Sequence, residues 1–207
     1  MSIINKLATS LNRRDEVPNQ ELANEIAAKN DSKGVKELVE NLSNKSKDLQ
    51  HDCIKVLYEI GERKPALIAA YAKDLVTLLT HKNNRLQWGA MHALDAITLE
   101  NPKEIYSSLS KIIAASDSGS VITKDHAVNI LIKLCSVKQY ADNAFSLLIE
   151  QLLNSLTNQL PMYAERAMPI INEKNKALFI KTLTARLNDI EKDTKRKRVE
   201  KVIKKVG

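Results

Sequence analysis

NNRLQWGAMHALDAI, residues 83–97, is the stretch that decides the fold. Ala90, Ala93, Leu94 and Ile97 fall at i, i+3, i+4 and i+7, the stripe that one face of an α-helix turns to a core. Stepping back 37 residues lands on Cys53, Val56, Leu57 and Ile60. Stepping forward lands on Ala127, Ile130, Leu131 and Leu134, then on Ala164, Ala167, Met168 and Ile171. Apolar helices in one register at a fixed interval mark a repeat array.

A second helix precedes each of these. Leu38, Val39 and Leu42 map onto Leu75, Val76 and Leu79, and then onto Ile112, Ile113 and Ser116. The fourth copy reads as Leu152, Leu153 and Leu156, three residues late. A fifth pair places Leu183 and Leu187 in the first helix and Val199, Val202, Ile203 and Val206 in the second. Punctuation follows the same interval. Pro65 and Pro102 are 37 apart, and Asn101 stands where it can cap a helix opened by Pro102. Gly61 sits where a second helix is expected to stop. Pro161 suits a first turn, and Pro169 should kink or end the helix that Pro161 begins. Ahead of the array, Ile3, Ile4, Leu7 and Leu11 form a short stripe, followed by a helix over about 19–29 with Leu22, Ile26 and Ala27 inward. These read as an N-terminal cap.

An Arg ahead of a small and apolar run, as in residues 83–97, resembles the second helix of a HEAT (armadillo-type) repeat, and the resemblance extends over roughly residues 30–206. It implies an all-α, right-handed α-solenoid of about five HEAT-like helix pairs. Residues 1–207 would form one domain, with a cap at 1–30 and repeats at 31–64, 65–101, 102–140, 141–173 and 174–207. The second helix of each pair would line the concave side. The physical reason is general: one helix pair cannot bury its apolar stripe, so neighbours stack and share a core.

Composition agrees. Aromatics are 4% and glycine and proline number five each, too few for the turns of an all-β fold. No apolar run is long enough to span a membrane. The first residues carry no continuous apolar core of a secretory signal, so a cytoplasmic protein is expected. Cys53 and Cys135 lie in apolar helical patterns and are expected to be buried free thiols. The net charge of +7 is concentrated at the end: residues 192–207 carry eight Lys or Arg against Asp193 and Glu200.

Candidate functional residues follow from the 100° turn per residue. With the core set by Ala90, Ala93, Leu94 and Ile97, Trp88 points almost opposite, and Arg85, His92 and Asp95 lie within about 50° of that direction. Columns across repeats run His51, Trp88, Asp125, Met162; then Lys55, His92, Asn129, Arg166; then Asp52, Gly89, His126, Tyr163. The expected partner-binding face is therefore Arg85, Trp88, His92, Asp95, Tyr163 and Arg166, with Gly89 leaving a notch beside Trp88. The alternative is that Trp88 packs across a seam onto the helix of Asp125 or Met162.

Catalytic motifs are lacking: no HExxH, glycine-rich phosphate loop, CxxC or G-x-S-x-G occurs. His92, Asp95 and His51 form only a weak metal set, and no cofactor is expected. The architecture is also that of the HEAT-like alkylpurine DNA glycosylases, which use a basic concave groove with Trp residues and an Asp four residues after one of them. Here position 92 is His, Asp95 is seven residues after Trp88, and no second Trp exists. The expectation is thus a monomeric, non-catalytic scaffold for a protein or peptide partner, with no membrane contact. The second reading is nucleic-acid or acidic-partner contact through Lys195, Arg196, Lys197 and Arg198, against the plainer one of a solvated end cap.

Overall fold

The computed structural model describes residues 2–207. Among these, 78% are helical and none is in a strand. Two 3-10 turns, Ile3–Lys6 and Thr9–Leu11, lead into α1 (Val17–Lys29). Then come α2 (Ser32–Glu40), α3 (Lys47–Arg63), α4 (Ala72–Thr77), α5 (Asn84–Ala96), α6 (Pro102–Ser107), α7 (Leu109–Ser118) and α8 (Val121–Cys135). The chain ends with α9 (Ala141–Asn154), α10 (Leu160–Ala167), α11 (Lys176–Arg186) and α12 (Asp193–Val206). It divides into two compact units, Met1–Ala127 and Val128–Gly207.

The 37-residue interval appears in the helix starts: α3 begins at Lys47, α5 at Asn84 and α8 at Val121. Each start is set by a side-chain cap at the same interval. Ser46 accepts from Leu49 N, Asn83 from Arg85 N and Ser120 from Thr123 N. Such caps satisfy amides that the first helical turn leaves unbonded. Asn101 does the same for Glu104 N ahead of Pro102.

In the first unit α3 packs against α1, α2 and α5. Cys53, Val56, Leu57 and Ile60 meet Ala90, Ala93, Leu94 and Ile97, and none of these eight is more than 1% exposed. Each large apolar side chain so buried contributes about 1.5–3 kcal/mol. α1 joins this layer: Leu22, Ala23 and Ile26 are buried, and Asn19 Nδ2 donates to Asp52 Oδ1 of α3 at 2.7 Å.

Both glycines of this core differ from the sequence expectation. Gly61 does not stop α3, which runs on to Arg63. A Cβ at Gly61 would lie 2.9 Å from Ile68 Cδ1 and 3.0 Å from Ala96 Cβ, so the residue is small because its neighbours are close. Gly89 is buried, and a Cβ there would meet Ile54 Cγ1 at 2.7 Å. It is a close approach of α5 to α3 rather than a notch beside Trp88.

The second unit buries Ala144, Phe145, Leu148, Ile149 and Leu152 from α9, and Phe179 and Leu183 from α11. α12 adds Val199 and Val202. The stripe expected at Leu152, Leu153 and Leu156 holds only at Leu152. Leu153 is 43% exposed, and Leu156 lies beyond the end of α9. The buried stripe runs one residue early of the strict interval, not three late. Arg186 seals that end of α9, donating to the carbonyls of Leu152, Leu153 and Ser155. Pro161 opens α10, and Pro169 sits in a 3-10 turn just past its end. Cys53 is buried but Cys135 only half-buried; burial pushes both thiols up to about 12. Among the described residues no helix is long and apolar enough to cross a membrane.

Candidate partner-binding face

The face of α3 and α5 not used for core packing carries two rows of side chains, both within the first unit. One row is aromatic. Trp88 of α5 lies 5.7 Å from the Tyr58 ring of α3, tilted by 46°. Tyr58 stacks on His92 at 4.4 Å, and His92 stacks on His126 of α8 at 4.1 Å, each pair 18° from parallel. The imidazoles are held at their edges. His92 Nε2 is 2.6 Å from Glu62 Oε1, and His126 Nδ1 is 2.8 Å from Asp95 Oδ2. Burial and the facing His126 ring hold His92 below the ordinary histidine value, despite the carboxylates of Glu62 and Asp95.

The second row is charged. Lys55, buried on α3, donates to Glu59 at 2.5 Å and pairs with Glu16 at 2.9 Å, with its ammonium 4.8 Å from the Tyr58 ring centroid. Burial works against that charge, but the bonds to Glu59 and Glu16 outweigh it and keep Lys55 above its usual value. Arg63 continues the row, bonding Glu59 and Asn24. Glu16 also reaches Arg85 at 3.4 Å, a long contact with a single guanidinium nitrogen, and Arg85 remains 41% exposed. Beside it, a cavity of about 590 Å³ is lined by Thr9, Arg14, Asp48, His51 and Arg85.

The structure sorts the expected site residues into three groups. Arg85, Trp88 and His92 do lie together on this face. Trp88 is half-buried and leans on Tyr58 of α3. Asp95 is 6% exposed and therefore not an outward contact; the His126 ring covers it. Tyr163, only 2% exposed in the second unit, is a core residue of α10. Arg166 is exposed and donates to Asn129 Oδ1 at 3.1 Å. His92 bonds Glu62, Asp95 bonds His126, and His51 bonds Asn83. Among the described residues no three His, Cys, Asp or Glu side chains converge on a metal position.

Sequence reasoning missed Tyr58, Glu59 and Glu62. It compared residues one repeat apart, whereas the rings of α3, α5 and α8 meet at positions 58, 92 and 126, an interval of 34. Stacked helices are inclined to one another, so a residue's neighbour lies about one turn earlier in the next repeat. Rings spaced one turn short of the repeat were the legible signal.

The repeated helix layer is an armadillo/HEAT-like helical repeat fold. No protein-family model matches the chain, and no curated protein matches it in sequence. Solved structures do. A designed armadillo repeat protein in complex with the peptide (KR)4 is similar, with a TM-score of 0.67 at 16% identity, over 91% of this chain and 87% of that one. A second designed armadillo repeat protein gives 0.62 at 13% identity, over 99% of this chain and 100% of that one. An engineered protein gives 0.62 at 22% identity, with coverage of 99% and 100%. At these identities the likeness establishes the fold.

Proposed function

We propose that the chain is a non-catalytic scaffold that binds an extended segment of a protein partner along the ring row of its first unit. The observation that carries this reading is Trp88. The chain's single indole stands on the non-core side of α5, half-exposed, and its ring is fixed in place by Tyr58. Rigid aromatic side chains with an Arg beside them are the anchors that dominate binding energy. Because Tyr58, His92, Glu62, Lys55 and Glu59 already hold one another, the face loses little freedom on binding, which favours affinity. The designed armadillo protein of similar fold was solved with a peptide bound, which supports a peptide as the class of partner.

Non-catalytic action is supported by the motifs the sequence lacks and by neighbours that are designed scaffolds. Trp88 is also the reporter. Immobilised peptide arrays should yield binders that shift its emission, and Trp88→Phe should keep measurable binding while Trp88→Ala loses at least about tenfold, a hot-spot-sized effect. Array binders that neither shift the emission nor respond to Trp88→Ala would place the binding surface elsewhere.

A further inference from the structure

The two units differ sharply in charge. Residues 1–127 hold seventeen Lys or Arg and seventeen Asp or Glu, while residues 128–207 hold fifteen against eight, so the second unit carries the whole +7. Within it, the conspicuous run Lys195–Arg198 is tied down. Lys195 bonds Asn158, Arg198 forms a two-pronged pair with Glu165 at 2.8 and 2.6 Å, and Asp193 draws Lys197 at 2.8 Å and Arg196 at 3.8 Å. The cations of α12 outside these bonds lie further on: Lys201, Lys204 and Lys205, all exposed, with Lys201 within the electrostatic reach of Glu165.

Helical geometry puts Lys197, Lys201 and Lys205 in one line at steps of four residues, about 6 Å each, with Lys204 alongside. The opposite side of α12 carries Val199 and Val202 into the core. We propose that Lys197, Lys201, Lys204 and Lys205 form a contact row for the phosphodiester backbone of duplex DNA. A row about 12 Å long spans three to four phosphates of one strand at its axial rise of about 3.4 Å.

Three observations favour this occupant. The row has no apolar anchor: none of the exposed large apolar side chains lies on α12. Protein interfaces rely on such anchors and are depleted of lysine. An interfacial membrane helix needs an apolar face free to enter lipid, and here Val199 and Val202 of that face are buried, with Ile203 and Val206 half-buried. The helix dipole accounts for cations only in the last turn, whereas Lys197 and Lys201 lie further back. Duplex DNA offers the densest line of phosphates to Lys201, Lys204 and Lys205, and to Lys197 once it exchanges its exposed pair with Asp193 for a phosphate. Asp193 and Glu200 on the same helix limit the row to a few contacts.

The test is fluorescence anisotropy of a labelled 20-base-pair duplex titrated with the full chain at several salt concentrations. About four phosphate contacts predict an affinity loss of roughly 100-fold between 50 and 200 mM salt. Replacing Lys197, Lys201, Lys204 and Lys205 with Gln should flatten the salt dependence and weaken binding at 50 mM salt by more than about tenfold. A control with Lys45, Lys47, Lys82 and Lys103 replaced by Gln removes the same charge from exposed positions of the first unit and should bind like the parent. Unchanged melting of both variants shows that the fold is kept. No binding in 50 mM salt overturns the proposal, as does equal loss in both variants. Tighter capture by vesicles of anionic phospholipid, or by a polyglutamate peptide, than by the duplex would also overturn it.

Discussion

The first unit balances its charges, seventeen Lys or Arg against seventeen Asp or Glu, and the second carries an excess of seven cations. Around α3, Lys55 is buried with Glu59 and Glu16, and Arg63 doubles back onto Glu59. Around α12, Lys201, Lys204 and Lys205 face solvent, and of the three Lys201 comes within the electrostatic reach of Glu165. Both units use the same helical layering with similar apolar cores. Stacking therefore decides which residues are inside and leaves the chemistry of the outside free. The first unit leaves Trp88 half-exposed at the end of a largely buried row of rings, and the second leaves a row of ammonium groups in solvent.

If the cores are equivalent, cutting a hole in either should cost alike. Phe179→Ala in the second unit should lower unfolding free energy by about 3–5 kcal/mol, and Leu94→Ala in the first by about 2–5 kcal/mol, in denaturant titrations. Both residues have no exposed surface. A cost below about 1 kcal/mol at Phe179 would show that the second unit is packed more loosely.

Next in size is Gly89→Ala, which forces a methyl against Ile54 and should cost about 1–3 kcal/mol. Combining it with Ile54→Ala should cost less than the two changes added together, because the clash disappears. Simple additivity in that cycle would separate α3 from α5 at this point.

The ring row adds a histidine-borne pH dependence, and the second unit holds no histidine. His92 is held below its ordinary value of 6.5, so between its folded value and 6.5 the unfolded chain binds more proton. Stability should rise with pH through that window and level off above it. Melting temperatures from pH 5 to 8 should show this slope shrink in His92→Phe. An identical slope in the variant would assign it to other groups. The smallest effect is expected at Leu156→Ser. That side chain is 57% exposed beyond α9, so calorimetry should find a change within about 0.5 kcal/mol.

The helices were legible because burial is periodic. Ala90, Ala93, Leu94 and Ile97 and their copies name the core stripe, and Ser46, Asn83 and Ser120 mark three starts. The stripe of α9 was misread because Leu153 and Leu156 are as apolar as Leu148; only the arrival of Arg186 from α11 shows where that helix ends. On the candidate site, one helix wheel sufficed to place Arg85, Trp88 and His92. It could not show that His126 would cover Asp95, or that Tyr163 would turn inward, because both outcomes depend on how neighbouring helices are inclined. The same inclination hides the alliance of Tyr58 with His92.

The central claim is that the first unit presents a ready-made face with Trp88 partly open to solvent. Acrylamide quenching of the single tryptophan in the folded chain measures this directly. The account predicts quenching well above that of a fully buried indole and below that of free tryptophan, and protection when a peptide partner is added. An indole that acrylamide cannot reach until the chain unfolds would contradict it.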